Sequence, residues 1–161
     1  GATHQCIEDF ALMRAIPGMT VLCPCDGHEM RLATEALLNF DGPAYMRLGR
    51  LAVENVTDAI DGYSFEIGKA SKLAEGRDVT IIATGMMVQM ALQAARTLAE
   101  EGVSVRVVDM HTIKPLAYEL VLKAAPDASS PRRRPTSSAA WARRSASIWP
   151  ACARFRWCAT A

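Results

Sequence analysis

DVTIIATG, at Asp78–Gly85, is followed by a helix-spaced run from Met86 to Glu101 and by a second apolar stretch, VSVRVVD, at Val103–Asp109. Asp78–Ala83 and Val103–Asp109 read as buried strands. Between them Val88, Leu92, Ala95 and Leu98–Ala99 fall on one stripe of a 3.6-residue repeat, the mark of a helix with one buried face. Gly102 stands where a helix C-cap is expected. Strand, helix and strand in this order, with strands so uniformly apolar, predict a parallel sheet covered on both faces. The fold class expected is therefore α/β.

The same alternation extends upstream. Gln5–Ile16 reads as a helix, with Ile7, Phe10, Ala11 and Arg14–Ala15 spaced in threes and fours and closed by Pro17-Gly18. Thr20–Cys23 is a short apolar strand that Pro24 ends. Asp26 is placed to cap the next helix, and Glu29 three residues on completes a capping-box-like pair. That helix should run to about Phe40 and stop at Asp41-Gly42-Pro43. Ala44–Leu48 is the next strand, 51–62 a connecting segment, and Ser64–Leu73 an extended stretch. Beyond Asp109, Leu116–Ala125 suggests a further helix.

Composition excludes several classes. Half of the chain is hydrophobic and 22% is charged, the balance of a globular protein. No apolar run reaches the roughly 20 residues of a membrane span, and no secretory signal is visible. Gly1 rather than a Met opens the chain, so further sequence is expected upstream. The five cysteines show no metal-ligand spacing, and we read them as small hydrophobes in a reducing cytoplasm. No metal ligand is expected among them. The net charge of +1 hides an asymmetry: residues 1–125 carry 11 Lys/Arg against 16 Asp/Glu, whereas 126–161 carry seven Arg, all three Trp and a single acid, Asp127.

The residue strings reach further than periodicity. GATHQCIEDFALMRAIPGMTVLCPCD at Gly1–Asp26 resembles the segment that crosses the pyrimidine-binding domain of transketolases. DGPAYMRLGR at Asp41–Arg50 is similar to the strand that follows it in that family. FEIGKA, DVTIIATG and VRVVDMHTIKPL look like the transketolase C-terminal domain, and the resemblance is strongest to the shorter subunit of two-polypeptide transketolases. Ala2, Cys25 and Ala117 depart from the usual Pro, Ala and Asp. The resemblance implies four segments. Residues 1–51 would be the C-terminal half of the pyrimidine-binding domain and 52–63 a linker. Residues 64–125 would be an incomplete C-terminal domain, followed by an out-of-frame, disordered tail at 126–161.

It also implies an activity: transfer of a two-carbon ketol unit between sugar phosphates, with thiamine diphosphate and Mg supplying the carbanion chemistry. The groups that hold the cofactor's ring, diphosphate and metal in this family lie outside the chain. A thiamine-diphosphate-binding N-terminal domain or subunit is thus an implied partner, in a homodimer or a two-subunit assembly. A 1-deoxyxylulose-5-phosphate synthase is the alternative within enzymes, although its strand usually ends Tyr-Pro-Arg-Gly against Arg47-Leu48-Gly49-Arg50 here. A non-catalytic subunit-interface module is the alternative outside them.

By resemblance, His4 would face the reactive carbon of the cofactor and the hydroxyls of the sugar; imidazole suits proton relay because it titrates near neutrality. The plainer reading is a helix-capping or surface histidine. Arg50 would bind the substrate phosphate, beyond the carboxyl end of a parallel strand where ligands collect and with a guanidinium that forks onto phosphate. Arg47, on the other face, is the second candidate, and a solvated arginine the plain reading of either. Thr84-Gly85-Met86 joins a strand to a helix N-terminus and could hold an anion, but without a Gly-rich string packing is the simpler account. His28, His111 and Lys114 are expected on the surface or in loops.

The tail offers both basic charge and aromatics, as a nucleic-acid surface would. A reading-frame error accounts for it better. Read one base earlier in GC-rich codons, Ser138-Ala139-Ala140-Trp141-Ala142 becomes Ile-Gly-Gly-Leu-Gly, and the whole tail becomes strand, Gly-rich turn, amphipathic helix and strand. No nucleic-acid or membrane partner is therefore expected.

Overall fold

The computed structural model of the protein describes residues 6–124. His4 and the tail at 126–161 lie outside them. The described chain forms α1 (Asp9–Ala15), β1 (Thr20–Leu22), α2 (Gly27–Leu38), β2 (Ala44–Met46), β3 (Ser71–Ala74), β4 (Val79–Ala83), α3 (Met87–Glu100), β5 (Val105–Asp109), β6 (Thr112–Lys114) and α4 (Tyr118–Ala124). The α/β expectation holds. Apart from β3, which ends one residue past its expected stretch, and β6, which falls in none, the elements lie within the expected stretches, with ends trimmed by a few residues as fraying dictates.

Two three-stranded sheets result, in the orders β2-β1-β6 and β3-β5-β4. β1 and β2 are parallel in register Thr20↔Ala44 to Leu22↔Met46, and β4 and β5 are parallel from Val79↔Val105 to Ala83↔Asp109. Each sheet also has an antiparallel neighbour, β6 on β1 and β3 on β5, which the expectation of a parallel sheet lacked. Both are short: β3 is only the end of the stretch expected to be extended from Ser64 on. β6 lies inside HTIKPL, too brief to show a period of its own.

The two residues between β5 and β6 carry the chain from one sheet to the other. Met110 N–H donates to Ala83 C=O at 2.8 Å, and His111 C=O accepts from Cys23 N–H at 2.8 Å. One buried cluster accordingly mixes side chains of both sheets: Val21 and Cys23 with Ile82, Val108, Met110 and Ile113. The stripe expected on α3 packs a second cluster, with Val88 and Ala91 buried and Leu92, Ala95 and Leu98 against Val105 and Val107. His111 is thereby corrected from surface to core. It is 1% exposed, its ring 4.4 Å from that of Phe65. Lys114 is likewise no loop residue: on β6, its ammonium donates to the carbonyls of Arg14 (2.9 Å) and Ile16 (2.6 Å), closing the C-terminal end of α1.

The Thr84–Met86 turn is a packing joint. The Thr84 hydroxyl donates to Cys23 C=O at 3.4 Å, and Gly85 has φ +55°, where a Cβ would come within 2.7 Å of Cys23 Sγ. Gly85→Ala should therefore destabilise the fold by about 1–3 kcal/mol, from left-handed backbone strain plus the clash. The urea midpoint checks this; an unchanged midpoint would mean that the turn relaxes at no cost.

Candidate functional site

The carboxyl ends of β1 and β2 point to one edge, where the loops at 23–26 and 47–50 lie. The first turn of α1 reaches the same edge. Asp9, 4% exposed, accepts the Tyr45 hydroxyl at 2.8 Å on Oδ2 and pairs there with Arg47 Nε at 3.4 Å. The Arg47 guanidinium also lies over the Phe10 ring, 4.6 Å from its centre, a cation–π arrangement. Arg47 is thus already neutralised and stacked. Arg50, three residues on, is exposed and has no hydrogen-bond or ion-pair partner among the described residues. Of the two arginines at this edge, only Arg50 presents an uncommitted guanidinium.

Behind this edge the β1–α2 turn is densely bonded. Asp26 caps α2 as expected: its carboxylate accepts Glu29 N–H at 2.8 Å, Val56 N–H at 2.7 Å, Thr57 N–H at 2.8 Å and the Thr57 hydroxyl at 2.9 Å. Burial opposes its charge, but these donors outweigh burial and hold Asp26 below the ordinary carboxylate range. Thr57 in turn meets His28 Nδ1 at 2.9 Å, which leaves His28 half-buried beside Tyr63. The connecting segment at 51–62 is therefore strapped to the cap of α2, a link with no periodic signal in sequence.

Glu29, fully buried, accepts Cys25 N–H at 2.7 Å on Oε2 and the Tyr63 hydroxyl on Oε1. Asp109 from the end of β5 and the Cys25 thiol join it, with ligand atoms of the three residues within 4.8 Å of one another. Burial pushes the Cys25 thiol far up, and the Cys23 thiol up to about 11. Both cysteines are buried small side chains, as expected, and neither is a ready thiolate. Sequence reasoning missed this group because Glu29 and Asp109 lie 80 residues apart and carry no motif spacing.

A cleft of about 550 Å³ opens between α1, β6 and the start of α4, lined by Arg14, Ile113, Lys114 and Tyr118 among others. It lies away from Arg50, and its ammonium is occupied by the carbonyls of α1. We take the β1–β2 edge, not this cleft, as the candidate site.

Comparison with known proteins supplies the class. The family model described as transketolase, pyrimidine binding domain matches residues 1–55, and that of the transketolase C-terminal domain matches 68–130. The chain belongs to the transketolase family. It is 47% identical over 125 residues to a 6-deoxy-6-sulfo-D-fructose transketolase subunit of Clostridium sp., covering 78% of this chain and 38% of that one. It is 43% identical to an apulose-4-phosphate transketolase subunit of Phocaeicola vulgatus, over 78% of this chain and 40% of that one. Among solved structures it is similar to a split-gene transketolase, an inactive beta4 tetramer, with TM-score 0.71 and 45% identity over 78% of this chain and 41% of that one. 1-Deoxy-D-xylulose-5-phosphate synthases match as well, that of Geobacter sulfurreducens at 40% identity over 78% of this chain and 20% of that one. The chain thus spans about two fifths of the length of the transketolase subunits it matches. It is a C-terminal section of this enzyme family, with the two-domain order that the sequence strings indicate.

Asp26→Ala should cost about 2–4 kcal/mol, since the loss strands several buried N–H donors at once. Asp26 also sets an acid limb. Its folded pKa lies below its unfolded one, so its stabilisation is present above the unfolded value near 3.9 and is lost as pH falls through the folded value. Unfolding measured between pH 2 and 5 should show a shallower acid limb in Asp26→Asn; an unaltered limb would assign the acid sensitivity to another carboxylate.

Proposed function

We propose that this chain is part of a thiamine-diphosphate enzyme that transfers a two-carbon ketol unit between sugar phosphates, and that Arg50 grips the substrate's phosphate. The observation that carries this is the free, exposed guanidinium of Arg50 at the carboxyl edge of a parallel strand pair. Arg47 is spent on Asp9 and Phe10, which leaves it the part of a support. The first turn of α1 stands at this edge; His4 lies outside the described residues, and its part here rests on the family resemblance alone. There His4 would orient the sugar and hold or pass a proton at its hydroxyl or carbonyl oxygen.

Transketolases use thiamine diphosphate. The described residues do not suit that cofactor: their converging acids, Glu29 and Asp109, are sealed in the core rather than open to a cleft. No step is therefore assigned to this chain through the diphosphate or its Mg. A second polypeptide or domain would hold them, in keeping with relatives that are themselves subunits. Exposed apolar side chains such as Ile7, Leu12 and Leu51 suit burial in such an assembly. No helix among the described residues is long and apolar enough to cross a membrane. The cytoplasm is our reading of the cysteine usage, which suits a reducing compartment. The run 126–161 we read as out of frame, which sequencing of the DNA around codon 125 decides.

The deoxyxylulose-phosphate synthase reading has the 40% match in its favour. An interface module without chemistry has the short span of the chain. Combining the protein with a cofactor-binding transketolase subunit, and assaying ketol transfer against condensation of pyruvate with glyceraldehyde phosphate, separates the three. In the active assembly Arg50→Ala should raise KM for phosphorylated substrates about ten- to a hundredfold and spare unphosphorylated ones. An equal effect on both would remove Arg50 from phosphate binding. His4→Ala should lower kcat about 10²–10⁴-fold with cofactor affinity retained; an unchanged kcat would make it a capping residue.

A further inference from the structure

We propose that Asp109 folds as the neutral carboxylic acid and shares its proton with the carboxylate of Glu29, so that one proton clamps β5 to α2 and ties the two halves of the chain together. Asp109 is fully buried at the end of β5, and neither of its carboxylate oxygens has a hydrogen-bond partner among the described residues. Such a group must be neutralised or paired, because a bare buried carboxylate is far more costly than a protonated one. Glu29 stands opposite from α2, within the same 4.8 Å cluster. Its oxygens already receive two donors, the Cys25 amide and the Tyr63 hydroxyl, so Glu29 is built as an acceptor. One proton between the carboxyls gives Asp109 a donor to offer and Glu29 a third to accept.

The surrounding groups leave few other solutions. From the cap of α2 comes the anionic Asp26; from the β1–α2 turn come the thiols of Cys23 and Cys25, which burial keeps protonated. Tyr63 approaches from the segment before β3, already donating to Glu29, and His111 follows β5 with its imidazole held neutral by burial. The charges acting on Asp109 from α2 and its cap are thus negative. Burial first, and then the charge of Glu29, raise the proton affinity of Asp109 well above that of an ordinary aspartate. A divalent cation is the competing balance. It would need the Cys25 thiolate, or a share of Glu29 oxygens that already hold an amide and a phenol.

The sign follows from the raised folded pKa. An unfolded aspartate ionises near pH 3.9. The folded chain keeps this proton to a higher pH, so folding takes up one proton and loses stability as pH rises from about 4 to the folded pKa. The folding equilibrium constant should fall by up to tenfold per pH unit in that window. His111 acts with the opposite sign, its neutral form being lost as pH falls, so the test must be differential.

Urea unfolding of the full 161-residue chain, treated with chelator, between pH 5 and 8 provides it. Asp109→Asn keeps a donor without a titrating proton. Its stability relative to the parent should climb with pH by up to tenfold per unit in the folding constant, and Glu29→Gln should also flatten the slope. Infrared spectra of the folded parent at pH 7 should contain the carbonyl stretch of a protonated carboxylic acid, a readout that survives even if the variants fail to fold. Parallel pH curves for parent and Asp109→Asn, or no such band, overturn the proposal. So does stabilisation of the parent by added Mg²⁺, Mn²⁺ or Zn²⁺ that Asp109→Asn abolishes, which would assign the cluster to a cation.

Discussion

The whole arrangement hangs on the two-residue passage from β5 to β6. Met110 and His111 spend one backbone group each on a different sheet, the amide on Ala83 and the carbonyl on Cys23. Few backbone arrangements can satisfy two sheets within two residues, and burial forbids leaving either group unpaired. The passage therefore fixes how β4 and β1 stand to each other. It also sets what is buried between them: Ile82 and Val108 on one side, Val21 and Cys23 on the other. Gly85, whose missing Cβ makes room for Cys23 Sγ, is a consequence of that closeness.

The sequence made legible whatever depended on local period or on a cap. DVTIIA, the α3 stripe, VSVRVVD and the Asp26 cap stand where their residues predict them, because each is decided by neighbours within one or two turns. What escaped was non-local. β6 has three residues and is a strand only because β1 is beside it. His111 is polar, and nothing near it in sequence says that a sheet will close over it. The second bonding partners of Asp26, Val56 and Thr57, lie 30 and 31 residues downstream in a stretch without periodicity. The family strings named the domains in order, yet could not say which atoms would touch.

The same limit applies at the β1–β2 edge. Two arginines three residues apart are equivalent in composition, and both can fork onto a phosphate. The fold separates them. Arg47 follows β2 closely enough for Asp9 and Phe10 of α1 to reach it, and its backbone amide donates to Leu22 C=O at 2.9 Å. Arg50 has moved past the end of the strand and past the reach of α1. A charge held by an internal acid has little left for a ligand, whereas an unpaired exposed one loses only water on binding. The preference for Arg50 over Arg47, which resemblance alone suggests, thus has a physical argument beside it.

Asp26 and Asp109 show why residue type alone says little about charge in such a core. Both are aspartates in one buried neighbourhood, each near Glu29. Asp26 faces four donors, among them the N-terminal amide of a helix, and burial is outweighed; its carboxylate is stabilised as an anion. Asp109 faces a carboxylate and thiols, and burial together with the charge of Glu29 outweighs the opposing contact of the Cys25 thiol; its acid form is stabilised. The two respond to pH in adjoining windows, Asp26 below about 4 and Asp109 above it, so the fold is destabilised in both directions from a region of weak acid. The donors on Asp26 belong to segments close to it in the fold, α2 and the loop at 55–57, and hold the first half together by charge. The clamp at Asp109 joins the first half to the second, and it does so with a proton because, among the described residues, the second half brings no cation to Glu29.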